Sequence, residues 1–223
     1  LVAVAVGLAG YAAFGWRITA ASTPLVDPDL LRRRPVVRGL PLILVATALM
    51  IAVFFLGSFV LQQSHGLSAL QTGLSFLPVA VGTILGSNLA GRVLPRRGVR
   101  AVSTGGLLVT AAGLAVAAAV PSVPVLIVAT SVAAFGIGAV FVASAGSLFS
   151  AVQPQEAGVA SAALSTFHEF GAATGVSAVS SVAAAALVTP APDAFAPGYW
   201  FAAVVAAVAA LLSLARPRDT AAV

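Results

Sequence analysis

The sequence contains no cysteine, no lysine and few charged residues of any kind. The lack of cysteine excludes disulfides, thiolate metal sites and a cysteine nucleophile, and the lack of lysine excludes a Schiff-base pigment. Charged residues make up 8% and hydrophobic residues 60% of the 223 positions, whereas an ordinary soluble domain has roughly 25% charged residues. Such a chain cannot cover itself with a water-compatible surface, so the sequence predicts a protein whose solvent is mostly lipid.

Enzyme signatures are also missing. The sequence has no HExxH, no GxSxG, no phosphate-binding glycine loop with a lysine, and no pair of carboxylates within one apolar run. We therefore expect no enzyme activity, no catalytic residue, no metal and no cofactor. The formal net charge of +5 comes from arginines in short clusters between long apolar runs. This pattern is typical of anchoring loops, and it argues against a basic face that binds nucleic acid.

Seven apolar runs come close to or exceed the length of a membrane span, which is about 20 helical residues for a hydrocarbon core of ~30 Å. They lie at 1–16, 39–62, 71–91, 101–120, 123–147, 158–188 and 198–215. These runs lack the alternating pattern of barrel strands, so we expect helices. The chain opens at Leu1 within an apolar run and its only methionine is Met50. We therefore interpret the sequence as a fragment whose first span is cut short.

The arginines indicate the orientation of the spans. All eleven lie in segments 17–38 and 92–100 and in the tail 216–223, and the connections between them along the chain have none. With seven spans these three segments fall on one side, which the positive-inside rule assigns to the cytoplasm of a multi-pass inner-membrane protein. Segment 17–38 is either a short amphipathic element facing anionic headgroups or an unstructured linker.

Three stretches carry a family resemblance, in order along the chain. They are TPLVDPDLLRRRPVVRG (23–39), FVLQQSHGLSALQTGLSFLPVAVGTILGSNLAGRVLPRRGVR (59–100) and QPQEAGVASAALSTFHEFGAATGVS (153–177). They resemble, respectively, the cytoplasmic connector, the first hairpin of the C-terminal bundle and the entry to the penultimate span in the fourteen-span drug:proton antiporters of the major facilitator superfamily.

The resemblance implies an all-α integral membrane fold with about seven transmembrane helices, six of which form the C-terminal bundle of a major facilitator. On this interpretation 1–16 is the last extra central helix, 17–38 the connector, 39–215 the six-helix bundle and 216–223 the tail. The bundle would comprise inverted three-helix units, 39–120 and 123–215. The N-terminal bundle of the transporter is missing from the sequence and would be its partner.

The implied function is secondary active transport, namely proton-coupled export of hydrophobic or cationic drugs by a protein embedded in a lipid bilayer, with the proton and a small molecule as its partners. Two alternatives stay open. One is a transporter of the same fold that carries a metabolite or a self-made antibiotic, and the other is an inactive truncated remnant.

The connection GRVLPRRG (91–98) is similar to half of the family's loop motif, but Pro95 stands where an acid is expected. Its gating candidates are Gly91, Arg92, Arg96, Arg97 and Gly98. The arginines would act by pairing with acids or helix C-termini elsewhere. Alternatively they only hold this loop on the cytoplasmic side.

Glu169 is the one acid that falls within a predicted span. Counting from the start of the span near Gly158, it lies about 15 Å deep. A lone charge at that depth costs at least ~2.5 kcal/mol, so such a residue has a function or a partner. We predict proton coupling for Glu169, with His168 as a possible relay although it points about 100° away on the helix. The alternative is a neutral carboxylic acid that is hydrogen-bonded between helices, or one that contacts an arginine of the missing N-terminal half.

Other polar and small residues are weaker candidates. Four amides either line a substrate path or simply cap and tie helices: Asn88, Gln62, Gln63 and Gln71. Two glycine pairs have the GxxxG spacing that permits close helix contact, Gly82/Gly86 and Gly171/Gly175. We expect them to pack helices together, with hinge motion as the alternative.

Overall fold

The computed structural model describes residues 28–184 and 194–215, together with part of the stretch 6–17, which is helical. Within these ranges all regular structure is helical, which confirms the predicted all-α class. The long helices are α1 (Arg34–Phe59), α2 (Leu77–Ala119), α3 (Val123–Phe149), α4 (Ala157–Val182) and α5 (Ala196–Ala215). Shorter turns of helix occupy Pro28–Arg32, Val60–Ser64, Ala69–Ser75 and Pro154–Glu156.

Helix α2 is bent into two arms at Gly98, whose φ of 75° and ψ of 166° are not helical. Positive φ is readily adopted by glycine, because a side chain would clash with the backbone there. We call the arms α2a (77–97) and α2b (99–119). Each has about the length of one membrane span, so α1, the two arms of α2, α3, α4 and α5 make six helices.

Four helical stretches are long and apolar enough to cross a membrane by length and composition: Arg34–Ser64, Ala69–Ala119, Val123–Phe149 and Ala196–Ala215. The second contains both arms of α2. Helix α4 is not among these stretches because its serines, threonines and glycines, together with His168 and Glu169, lower its hydropathy. Its polar character marks it as the functional candidate of the bundle.

The helix boundaries differ from the predicted runs in three places. Helix α1 begins at Arg34, five residues before the predicted span. The run 71–91 is divided between Ala69–Ser75 and α2a. Helix α4 ends at Val182, and residues 185–188 of its predicted run lie outside the described residues. Three helices have a proline in their first turn, where its fixed φ suits the helix and its missing N–H needs no acceptor: Pro35, Pro78 and Pro124.

Helix α3 lies at the centre of the packing, in contact with both arms of α2 and with α1. Its small residues allow backbones to approach closely. A Cβ added at Gly86 of α2a would meet the backbone of Phe135, and one added at Gly106 of α2b would meet the carbonyl oxygen of Gly136. Close contact between small residues is the usual way in which membrane helices gain packing energy.

The connections between helices alternate between two ends of the bundle. At one end Arg33 pairs with Glu156, and the Arg100 guanidinium donates a hydrogen bond to the carbonyl oxygen of Leu214. We call this the arginine end. At the opposite end, residues of three different connections line one small cavity: His65, Ser122 and Phe195. This alternation places segments 28–38 and 92–100 together, as the arginine pattern predicts.

Candidate functional site

Helix α4 is attached mainly to α1. A Cβ added at Gly171 would meet the backbone of Leu44, and one added at Gly175 would meet the backbone of Ala48. Only four of the 26 residues of α4 are buried. The described helices therefore leave much of its surface uncovered.

Glu169 and His168 lie at the midpoint of α4, on the uncovered surface. The Glu169 side chain is 79% exposed and that of His168 is 47% exposed. Glu169 is not buried by the described helices, because Gly171, about 200° further round the helix, is the residue that faces α1. The described helices therefore do not enclose the carboxyl group as the alternative interpretation expects, and proton coupling stays a prediction. His168 does not stand apart from Glu169 as its position on the helix suggested, since its Nδ1 lies 3.4 Å from Glu169 Oε1.

An aromatic side chain borders this pair. The ring centroids of His168 and Phe141, which belongs to α3, are 6.3 Å apart. Two titratable groups thus stand side by side at the midpoint of α4, with an aromatic ring next to the imidazole. Such a pair can hold a proton, and when Glu169 is ionised it can attract a cation.

Two of the four amides predicted to line a substrate path make hydrogen bonds to groups three or four residues away along the chain. The Asn88 amide donates to the carbonyl oxygen of Ile84 in its own helix at 2.8 Å. The Gln71 side-chain oxygen accepts from the backbone N–H of Ser68 at 2.9 Å, which completes a capping box. Gln62 and Gln63 are exposed in the turn at the opposite end. The structure thus gives Gln71 the capping contact of the alternative interpretation, whereas the Asn88 amide bonds within its own helix.

The gating candidates form the bend of α2 at the arginine end. Within the described ranges, none of Arg92, Arg96 and Arg97 pairs with an acid, and all three are exposed. Gly91 is exposed, and a Cβ there would meet nothing within 4 Å. Gly98 makes the bend itself. The geometry gives Gly98 a structural purpose and leaves a gating role for the arginines as a prediction.

Both glycine pairs lie at helix contacts. Gly82 and Gly86 of α2a lie against the carbonyl oxygens of Ser131 and Phe135, as Gly171 and Gly175 lie against α1. These contacts explain why a side chain at these positions would not fit. The structure shows packing there, and hinge motion at these glycines stays a prediction.

Arg33 and Glu156 form a partly buried ion pair that the sequence did not predict. Arg33 Nη1 and Nη2 donate to the two carboxylate oxygens of Glu156 at 2.8 and 2.7 Å, and Nη1 also donates to the carbonyl oxygen of Ala151 at 2.6 Å. The hydrogen bond from Arg33 and the one from the Gln153 backbone N–H lower the pKa of Glu156, against an opposing effect of desolvation. The sequence QPQE (153–156) is the one pattern that could have pointed to Glu156. Arg33 could not have been identified, because its neighbours in the sequence are also arginines.

Apolar grooves also run along the bundle. One of about 790 Å³ lies between α2 and α3 and is lined by Pro78, Val81, Leu85, Phe135 and other apolar residues. It includes none of the four predicted amides. This groove offers contact to apolar molecules only, so the polar part of any transport site must come from elsewhere, such as the His168–Glu169 pair.

The geometry defines a class: an α-helical, multi-pass membrane protein with a polar site at mid-height of one helix. Comparison with known proteins gives the family. The family model described as Major Facilitator Superfamily matches residues 1–176 and 42–222. The chain belongs to this superfamily, whose members are transporters, and the family predicted from the sequence is confirmed. Its assignment to the fourteen-span branch stays a prediction.

Curated relatives are resistance proteins. The chain is 31% identical to the puromycin resistance protein pur8 of Streptomyces alboniger over 73% of its length and 34% of the relative's. It is 31% identical to the tetracenomycin C resistance and export protein of Streptomyces glaucescens over 50% and 21%, respectively. It is 33% identical to the methyl viologen resistance protein SmvA of Salmonella typhimurium over 41% and 19%. The chain thus spans about a third or less of the length of these relatives.

Proposed function

We propose that this chain forms the C-terminal transporting bundle of a proton-coupled exporter of hydrophobic or cationic drugs. The observation that carries the proposal is the His168–Glu169 pair at the midpoint of α4, uncovered by the other described helices. In a membrane a carboxyl group at that depth is costly to leave without a task. In this proposal Glu169 takes up and releases the coupling proton and His168 assists it, while the N-terminal bundle covers the open surface of α4.

The orientation is part of the proposal. The arginine end would face the cytoplasm, because arginines are retained on that side when membrane proteins insert. Eight of the eleven arginines fall in the described residues 28–100, and the contacts of Arg33 and Arg100 lie at this end. A cytoplasmic arginine end places Glu169 about 18 Å from that surface, measured from the start of α4. The protein acts as a transporter in this proposal and not as an enzyme.

The test is drug efflux by the natural full-length polypeptide that contains this sequence, reconstituted in vesicles with an imposed pH gradient. Wild-type efflux is expected to follow the gradient, and Glu169→Gln is expected to lose that dependence because its amide binds no proton. Asp29→Asn is the matched control, since Asp29 is an exposed acid at the arginine end. Gradient-driven efflux in Glu169→Gln would remove Glu169 from the coupling step.

A second candidate function is export of one particular antibiotic. Two of the relatives are named for resistance to single antibiotics, puromycin and tetracenomycin C, and the third for methyl viologen, a compact dication. Susceptibility of an expressing strain to a panel of unrelated cationic and neutral compounds distinguishes the two. Protection against several chemical classes supports the drug exporter, and protection against one compound supports the dedicated transporter.

A further inference from the structure

The Arg33–Glu156 contact connects three parts of the chain. Arg33 precedes α1, Ala151 follows α3, and Glu156 immediately precedes α4. The two parallel hydrogen bonds between the guanidinium and the carboxylate fix the relative orientation of the two groups, as a single contact would not. The side chains are 30% and 18% exposed, so water reaches them only in part.

An apolar cluster lies beside this contact and involves the same segments. It includes Leu30 and Val36 near the start of α1, Leu148 at the end of α3 and Ala160 in the first turn of α4. Leu30, Val36, Leu148 and Ala160 are each at most 2% exposed. The ion pair thus lies beside a buried apolar cluster. Loss of the pair is expected to loosen the packing of the start of α4.

Helix α4 has few other attachments. Besides Ala160, its buried residues are Gly171, Gly175 and Val179, which lie in the half of the helix beyond Glu169. Between Ala160 and Gly171 none of its residues is fully buried. The segment that carries His168 and Glu169 is therefore held from two sides, by the glycine contacts with α1 and by the contacts at the arginine end.

From this arrangement we infer that Arg33 and Glu156 are positioning residues for transport: the pair fixes the start of α4 against α1 and so sets where Glu169 stands. This inference rests on the proposed function, because it takes Glu169 as the proton-binding group. Neither Arg33 nor Glu156 contacts the proton or the drug. The pair acts through the helix that carries the site.

The functional test compares Arg33→Gln, Glu156→Gln and the exchange Arg33→Glu/Glu156→Arg in the reconstituted full-length polypeptide under an imposed pH gradient. Each single variant is expected to slow gradient-driven efflux roughly threefold to tenfold. The exchange is expected to recover at least half of the wild-type rate, because the charges can pair again. Arg34→Gln is the matched control: it removes the neighbouring charge, and Arg34 is exposed.

The structural test measures distances between spin labels. This chain has no cysteine, so each pair of labels needs only the two cysteine substitutions that carry it. Val37→Cys with Ser161→Cys reports the arginine end, and Gln63→Cys with Val182→Cys reports the opposite end; all four residues are exposed. Arg33→Gln is expected to broaden the first distance distribution and to leave the second unchanged, whereas Arg34→Gln changes neither.

The outcomes separate the two proposals. If Glu169→Gln uncouples efflux while Arg33→Gln behaves like Arg34→Gln in rate and in distance, only the positioning role is wrong. If efflux by Glu169→Gln stays gradient-driven, the proposed function is wrong. If the label distance at the arginine end is also unchanged in Arg33→Gln, the positioning role is wrong as well. A recovered efflux rate in the exchange variant supports the pair, because the two exchanged charges can compensate for each other only if they interact.

Discussion

Helices α3 and α4 are nearly equal in length but are built for different tasks. Fourteen of the 27 residues of α3 are buried, against four of the 26 of α4. Helix α3 is apolar on all sides, as expected for a helix surrounded by others or by lipid. Helix α4 combines small residues on the side toward α1 with His168 and Glu169 on its uncovered side. The comparison teaches that packing is concentrated in α3, whereas the residues proposed to couple protons lie on the helix with few buried positions.

The largest effect is expected where α3 is most tightly packed. Gly86→Leu would drive a side chain into the backbone of Phe135, and overpacking against backbone cannot be relieved by a rotamer change. We expect a loss of about 3 kcal/mol in the free energy of unfolding. Thermal unfolding in detergent measures it. Gly91→Leu is the matched control, since its added side chain meets open space, and equal melting of the two variants would contradict the packing.

A smaller effect is expected from the same substitution in α4. Gly171→Leu would meet the backbone of Leu44, but α4 can shift outward because few of its residues are buried. We expect a loss of about 1 kcal/mol, at the low end for overpacking. Ala173→Leu, on the exposed surface of the same helix, is expected to melt like wild type. A loss at Gly171 as large as that at Gly86 would show that α4 is as constrained as α3.

The third prediction concerns the attachment of α4 and its dependence on pH. The contact with Arg33 lowers the pKa of Glu156 from its ordinary value of 4.5. The stabilisation is therefore fully present above pH 4.5 and is lost as the pH falls through the lowered folded value. We expect wild type to melt above Glu156→Gln at neutral pH and the difference to vanish in acid. A difference that is constant over this range would contradict the ion pair.

The smallest effect on stability is expected at Glu169. Its side chain is 79% exposed, so Glu169→Gln removes no buried contact. We expect the free energy of unfolding to change by less than about 0.5 kcal/mol, although the same variant is expected to uncouple efflux. Unfolding of wild type and variant in the same detergent checks this. A large stabilisation or destabilisation would mean that Glu169 has a structural partner.

The sequence predicts the helices better than it predicts the site. The length of apolar runs and the arginine clusters predict the spans and the ends of the bundle, because both follow from the solvent and act locally along the chain. The loop motif identifies Gly98 as a candidate residue, but its positive φ and the bend of α2 are not predicted from the sequence.

The site depends on contacts that no local pattern encodes. Glu169 is recognisable because an acid within an apolar run is rare. The approach of Phe141 to His168 depends on how α3 and α4 cross. The choice of Arg33 for Glu156, over the adjacent Arg32 and Arg34, depends on how the start of α1 meets the turn before α4. Spacing along the chain contains no information on such crossings.

The bend at Gly98 has a consequence for how the protein enters the membrane. The two arms of α2 are joined through one non-helical residue, so there is no loop that could let one arm cross the bilayer ahead of the other. The arms would insert together as a helical hairpin. Its apex carries Arg92, Arg96, Arg97 and Arg100, and moving each of them through the hydrocarbon costs roughly 2.5–3.5 kcal/mol. We therefore expect the apex to stay on the side where it was synthesised and this hairpin to orient the helices that follow it.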